Sequence, residues 1–207
     1  MIHALAFTAA LVLSAAPPAV PPIAAKLGLD ADAWQTLQKG EVVAKTVVKK
    51  NAAGKDVGNG RAWVIIKATP DACYATLSKY EETPKYMPRV EKVTIADKTP
   101  TFMRVTQAIK VVFSTYRYTM DFTFDPKAKA MTWVLDKKAK NDIADTSGKW
   151  SFLPLPGGTT TLLDYTVAVD TGAALPSFLS NYLTKRDLPG VLDAFRKRVE
   201  SGGKWTK

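Results

Sequence analysis

The 207-residue chain has one histidine, one cysteine, and no Asp, Glu, Lys or Arg before Lys26. The histidine is His3, so everything beyond it lacks the usual general base near neutral pH. A lone Cys73 excludes an intramolecular disulfide, and it lies too far from any leader to be a lipid-modified cysteine. Only Asp71 stands near it in sequence, so nothing lowers the thiol pKa and it reads as a buried structural residue. No nucleophile motif, phosphate loop or Cys/His metal spacing is present. The acidic pairs at Glu81-Glu82 and between Asp142 and Asp145 read as helix-end and loop solvation. No apolar stretch reaches the ~20 residues needed to span a bilayer as a helix. The sequence therefore assigns no catalytic residue, no metal ligand and no cofactor.

What is present is enough apolar material for one full core: hydrophobic residues make up 46% of the chain. Ala4 to Ala16 is a largely apolar run followed by small residues and the proline-rich stretch Pro17 to Pro22. This predicts a signal peptide over residues 1–25, cut after Ala16 or Ala25, and a periplasmic or secreted domain over 26–207. Pro17 disfavours the first site. The net charge of +10 would then fall wholly on the mature domain. It favours anionic partners, and an anionic membrane surface is the expected one. Lys49-Lys50, Lys137-Lys138 with Lys140, and Arg196-Lys197-Arg198 are the candidate contacts, or else ordinary solvated faces. Nucleic acid is not expected, because the aromatics do not interleave with exposed cations.

Periodicity predicts an amphipathic helix over Lys26 to Lys39, ended by Gly40, with Leu27, Leu29, Trp34 and Leu37 as its apolar members. A hairpin follows over Glu41 to Lys50 and Arg61 to Ala68, the second strand running through Trp63, Val64, Ile65 and Ile66. Thr69-Pro70-Asp71 is a helix start, with Thr as N-cap and Pro at the first position, and the helix runs to about Glu82. Pro84 and Pro88 bracket Lys85-Tyr86-Met87, the candidate mouth element. Six strands are then expected, over 89–96, 101–111, 113–124, 130–137, 144–153 and 159–170. A terminal helix follows over 175–200, with a kink or restart at Arg186-Asp187-Leu188-Pro189. Strands in succession before a terminal helix indicate α+β with an antiparallel sheet.

The strand faces carry the functional signal. Ser114, Tyr116, Tyr118, Met120, Phe122 and Phe124 alternate with Phe113, Thr115, Arg117, Thr119, Asp121 and Thr123, so the first set points inward. Met131, Trp133 and Leu135 repeat the pattern, as do Trp150 with Phe152, and Leu163, Tyr165, Val167 and Val169. Leu162, Asp164, Thr166 and Ala168 fall on the outer side. The inward set includes phenols and an indole whose O–H and N–H groups need partners. Two readings stay open here, a packed aromatic core and a lined pocket.

Four stretches in order then resemble a known group: Ala68-Thr69-Pro70-Asp71-Ala72-Cys73-Tyr74; Tyr80 to Pro88; Gly148-Lys149-Trp150-Ser151-Phe152-Leu153-Pro154 with Gly157-Gly158-Thr159; and Leu175-Pro176 leading to Arg186-Asp187-Leu188-Pro189. From Arg61 onward the chain resembles the START-like superfamily, which includes polyketide cyclase/dehydrase and coenzyme-Q-binding START-like proteins. The resemblance implies the helix-grip fold, a curved antiparallel sheet wrapped around a long C-terminal helix, with a hydrophobic cavity between them. It implies a hydrophobic small molecule or lipid as ligand. The expected lining is Tyr86, Met87, Tyr116, Tyr118, Met120, Trp133, Trp150 and Tyr165, with Phe178, Tyr182, Leu192 and Phe195 from the terminal helix. The reading is an exported carrier; the alternative is a cyclase or dehydratase, with Arg104, Tyr118 and Tyr165 positioning a reactive substrate.

Overall fold

A computed structural model describes residues 19–50, 54, 56–111, 113–172 and 187–207. Eight strands form one open sheet: β1 (Val43–Lys50), β2 (Asp56–Ile66), β3 (Val90–Lys98), β4 (Phe102–Val111), β5 (Ser114–Asp125), β6 (Ala130–Leu135), β7 (Asp145–Pro154) and β8 (Thr161–Asp170). Their order across the sheet is β1-β2-β8-β7-β6-β5-β4-β3. Every neighbouring pair is antiparallel. The sheet is thus a meander from β3 to β8, with the β1–β2 hairpin added beyond β8. Helix α4 (Leu188–Glu200) packs on the inner face and buries Leu188, Leu192, Phe195 and Val199. Gly60 of β2 lets it close in, since a Cβ there would sit 2.9 Å from Leu188 Cδ2. This is the predicted α+β helix-grip arrangement. Of the terminal helix expected over 175–200, residues 175–186 lie outside the described residues, and α4 begins at Leu188 with Pro189 in its first turn.

The helix expected over Lys26 to Lys39 shortens to Ala31–Gln38, and a separate short helix that was not expected precedes it. Pro22 opens α1 (Pro22–Lys26), Gly28 breaks the chain at φ +76°, and Asp30 caps α2 (Ala31–Gln38) by accepting from the Ala33 N–H at 2.8 Å. Thr69 caps α3 (Pro70–Ser78) as expected. That helix stops four residues short of Glu82, where a 3₁₀ turn over Tyr80–Lys85 replaces it with Pro84 inside.

Two outer-face assignments are corrected by the same cause, a covering layer. Leu162 was expected to face water and is 0% exposed. It joins Ala24, Leu29, Trp34, Leu37, Trp63 and Leu155 in a second core, where α1 and α2 lie on the convex side of the sheet. Thr119 is buried too, because the 136–142 connection folds over it: the Thr119 N–H donates to Asn141 Oδ1 at 2.8 Å and its hydroxyl pairs with Thr106. At the other end of β5, Ser114 is exposed rather than inward. Phe113 lies outside the strand, at the β4–β5 tip.

Candidate functional site

Between the inner face of the sheet and α4 lies a cavity of about 200 Å³. Alternation along the central strands builds its walls. Tyr116, Tyr118, Met120 and Phe122 come from β5, Trp133 from β6, Thr146 and Trp150 from β7, and Tyr165, Val167 and Val169 from β8. Met87, Pro88 and Arg89 approach from the loop before β3, Val90 from the start of β3, and Asp187, Leu188 and Val191 from the start of α4.

The aromatic wall is continuous. Trp133 and Tyr165 lie nearly parallel, 21° apart with centroids 5.7 Å from each other, and Trp150 meets Tyr165 at 4.3 Å. Phe122 links Trp133 to Tyr80. Gly148 makes this possible. It pairs with Trp133 across the β6–β7 ladder, and a Cβ on it would fall 2.1 Å from Trp133 Cη2 and 2.3 Å from the Thr166 carbonyl oxygen. The indole therefore lies flat across the bare backbone, with its N–H directed to Thr146 Oγ1 at 3.4 Å.

Polar groups interrupt the apolar lining at few points. Tyr80 Oη donates to Gln107 Oε1 at 2.9 Å, and Gln107 Nε2 donates to Tyr118 Oη at 2.5 Å. Burial pushes the Tyr118 phenol up to about 12, and pushes Tyr80 and Tyr165 up as well. These phenols stay protonated across the physiological range. The charged lining groups, Arg89 and Asp187, form a two-point ion pair with each other (Nη2–Oδ1 3.0 Å, and Nε with Oδ2). Arg89 holds a left-handed backbone, φ 62°, uncommon for a residue with a side chain. The loop that carries it is pinned from below: Lys207 Nζ donates to the carbonyls of Met87 and Val90 at 2.7 and 2.8 Å.

Seven of the predicted lining residues meet at this cavity: Met87, Tyr116, Tyr118, Met120, Trp133, Trp150 and Tyr165. Leu192 and Phe195 are sealed in the packed core beside it, with Phe195 against Trp150 and Phe152. Tyr86 turns away from Met87 and packs under the Arg198 guanidinium, 5.4 Å from its ring. Phe178 and Tyr182 lie outside the described residues. Arg104 does not reach the cavity. It is held on the outer face by Asp121 at 2.7 and 2.8 Å and by Asp136 at 3.4 Å. Cys73 is buried, its thiol raised to about 11 by desolvation. Among the described residues no three His, Cys, Asp or Glu side chains converge as a metal site would require. Sequence reasoning missed Tyr80, Gln107 and the Arg89–Asp187 pair. Gln107 had a readable signal, as the one amide among the inward residues Met103, Val105 and Ile109 of β4.

This architecture matches a known family over more than half of the chain. Residues 66–196 fit the family described as polyketide cyclase / dehydrase and lipid transport. The chain belongs to that family. No curated protein matches it. Solved structures of family fold do. The Zhui aromatase/cyclase from Streptomyces sp. R1128 superposes with a TM-score of 0.62 at 18% identity, covering 70% of this chain and 94% of that one. A STAR-related lipid transfer protein from Xanthomonas axonopodis gives 0.60 at 20% identity over 74% of this chain and 98% of that one. A START superfamily protein from Mycobacterium smegmatis gives 0.57 at 18% identity, over 78% and 99%. At these identities the likeness establishes the fold. Membership in the family supports a hydrophobic small molecule or lipid as ligand, or cyclase-type chemistry on one.

Proposed function

We propose that this protein is an exported carrier that binds a hydrophobic small molecule in the cavity and releases it unchanged. The observation that carries this reading is the lining itself: aromatic and aliphatic walls, phenols held neutral, and charged groups already paired with each other. A cavity of 150 Å³ holds a benzene ring, so about 200 Å³ admits a substituted ring or a chain segment of equal bulk. Burying roughly 250 Å² of hydrocarbon contributes about 6 kcal/mol before the costs of association. Binding of that strength is reversible, as carriage needs.

Delivery to an anionic leaflet fits the charge of the cavity end. Ile109 and Tyr116 line the cavity, and the β4–β5 hairpin that carries them ends at Phe113, which is 97% exposed. Lys138 and Lys140 are exposed on the β6–β7 connection just before Ile143, another lining residue. Each such cation near an anionic surface adds about 1 kcal/mol. Arg196, Lys197 and Arg198 are less suited to docking, since they pair with Asp193 and Glu82.

Export rests on the apolar N-terminal run, and the packing of α1 bears on where the leader ends. Ala24 is sealed in the convex core with Leu29 and Trp34. A cut after Ala16 keeps that core whole, whereas a cut after Ala25 removes Ala24 from it. Intact-mass measurement of the protein from the culture or periplasm distinguishes the two.

The competing enzymatic reading draws on Tyr118 and Tyr165, whose hydroxyls can polarise a substrate carbonyl. Mass spectrometry of organic extracts from the purified protein decides the matter. A stoichiometric, chemically unaltered lipid or ring compound is expected. Conversion of a polyketide-like substrate, slowed far more than its binding by Tyr118→Phe, would overturn the carrier reading.

A further inference from the structure

Beyond α4 the chain turns back and runs to the loop that lines the cavity. Gly202 and Gly203 make the reversal at φ +63° and +81°, donating their N–H groups to the Val199 and Arg198 carbonyls at 2.9 and 2.8 Å. Ser201 Oγ then accepts from the Lys204 and Trp205 N–H groups at 3.1 and 2.8 Å. Arg198 Nη1 donates to the Trp205 carbonyl at 2.9 Å, while its Nη2 donates to Glu82 Oε2 at 2.7 Å. Arg198 thereby joins the returning chain to the 3₁₀ turn that leads into the loop. Trp205 packs half-buried against the inner core.

Lys207 then reaches the loop itself. Its N–H donates to the Lys85 carbonyl at 3.1 Å, and its Nζ to the carbonyls of Met87 and Val90 at 2.7 and 2.8 Å. Val90 is fixed in the sheet opposite Ile109 of β4, whereas Met87, Pro88 and Arg89 line the cavity. One ammonium therefore clasps the turn at both ends, with Pro88 and the left-handed Arg89 between them. That backbone conformation is unfavourable for a residue carrying a Cβ, so the turn gains from an outside hold. Desolvation lowers the Lys207 pKa, which marks the ammonium as drawn partly out of water.

We infer that residues 202–207 form a strap that sets how fast ligand enters and leaves. Docked, it holds the 87–90 turn against the cavity; released, it lets that turn swing away. The inference rests on the ligand-binding reading above and adds its control. The strap hangs on a few hydrogen bonds and one half-buried ring, which places it among the parts of a fold that open without global unfolding. None of the residues lining the cavity comes from 201–207. Loosening the strap therefore changes the barrier to exchange and not the contacts made with the ligand. As long as the closed form dominates, entry and exit quicken by the same factor and Kd stays where it was.

The test follows fluorobenzene, a ring small enough for about 200 Å³, by ¹⁹F exchange NMR on the full chain, which yields on-rate, off-rate and Kd together. Lys207→Met is expected to raise both rates about tenfold, the worth of one hydrogen bond to a charged group, with Kd within about twofold of wild type. Trp205→Ala should act the same way through a different contact. Lys204→Met should change nothing, because Lys204 meets the strap's own turn through its backbone N–H. Binding with unchanged rates in Lys207→Met overturns the strap and leaves the carrier reading standing. So does a Kd that weakens in step with the off-rate at constant on-rate, since the tail would then shape the site and not its exit. A matching effect from Lys204→Met overturns it as well, by tracing the change to net charge. A wild-type chain that binds no fluorobenzene overturns both readings.

Discussion

Gly148→Ala asks whether the shape of the cavity wall follows from one missing side chain. The added methyl would lie 2.1 and 2.2 Å from Trp133 Cη2 and Cζ2, and 2.3 Å from the Thr166 carbonyl oxygen. Swinging the indole relieves the first two contacts only. The third is to the backbone of β8, two ladder-paired strands deep in the sheet, so relief requires β7 and β8 to part. Overpacking of this kind costs about 1–3 kcal/mol, and backbone displacement puts this case at the upper end, about 3 kcal/mol. For a chain of this size that is a fall of roughly 6–12 °C in Tm. The displaced indole would also enter a space of only about 200 Å³ and fill much of it. Denaturant melts and ligand titration of the same preparation check both consequences. A variant within 0.5 kcal/mol of wild type that still binds would refute the reasoning, because it would mean that the flat seating of Trp133 does not depend on a bare backbone at 148.

The buried phenols make stability fall at high pH. Tyr118 shifts from its ordinary 10.0 to about 12, so between those values the unfolded chain gives up a proton that the folded one keeps, and stability drops by about 3 kcal/mol across that window. Urea melts at pH 9 and pH 12 measure it, and a flat profile would contradict the burial of the phenol; Tyr80 and Tyr165 push the same way. Phe113→Ser should leave the melting curve unchanged, since the ring is solvent-exposed, yet weaken binding to phosphatidylglycerol vesicles severalfold in a flotation assay. Unchanged flotation would remove the hairpin tip from the docking surface. Lys207→Met deletes two hydrogen bonds from a cation to the Met87 and Val90 carbonyls and should cost about 2 kcal/mol. Amide exchange should speed up between residues 85 and 91 and not in β6 or β7; uniform protection would show that the loop holds itself.

The inner face of the sheet was legible because one rule governs it. In β5 and β6 the alternation of large apolar with small polar residues gives the facing of Tyr118, Met120, Phe122, Met131 and Trp133 directly. The outer face was misread where a second layer covers it. Alternation ranks the two sides of a strand but cannot say that the weaker side is also dry. The clue was the unbroken run Trp63-Val64-Ile65-Ile66, which suits a strand buried on both faces. Tyr86 and Met87 show another limit. Adjacent residues in a turn point in unrelated directions, so periodicity cannot assign them, and it is Arg198 on α4 that draws the Tyr86 ring away from the cavity. Arg104 was a plausible site residue until its carboxylate partners were known; Asp121 lies directly across the ladder from it, a pairing that fixing the β4–β5 register would have exposed.

The two cores divide the work of the fold. An unfilled volume in a protein interior costs about 24 cal/mol per Å³, so some 200 Å³ forgoes roughly 5 kcal/mol relative to a packed interior. That is a large share of the ~5–15 kcal/mol by which a domain is stable. The convex core offsets it without touching the cavity. Trp34, Leu37, Trp63 and Leu162 are buried there, and each such side chain contributes about 2–3 kcal/mol. The convex core thus adds stability on the side of the sheet that does not enclose the void. Filling that void with ligand recovers part of the missing contact energy. The occupied protein should accordingly melt higher, by an amount that grows with the logarithm of free ligand above its Kd.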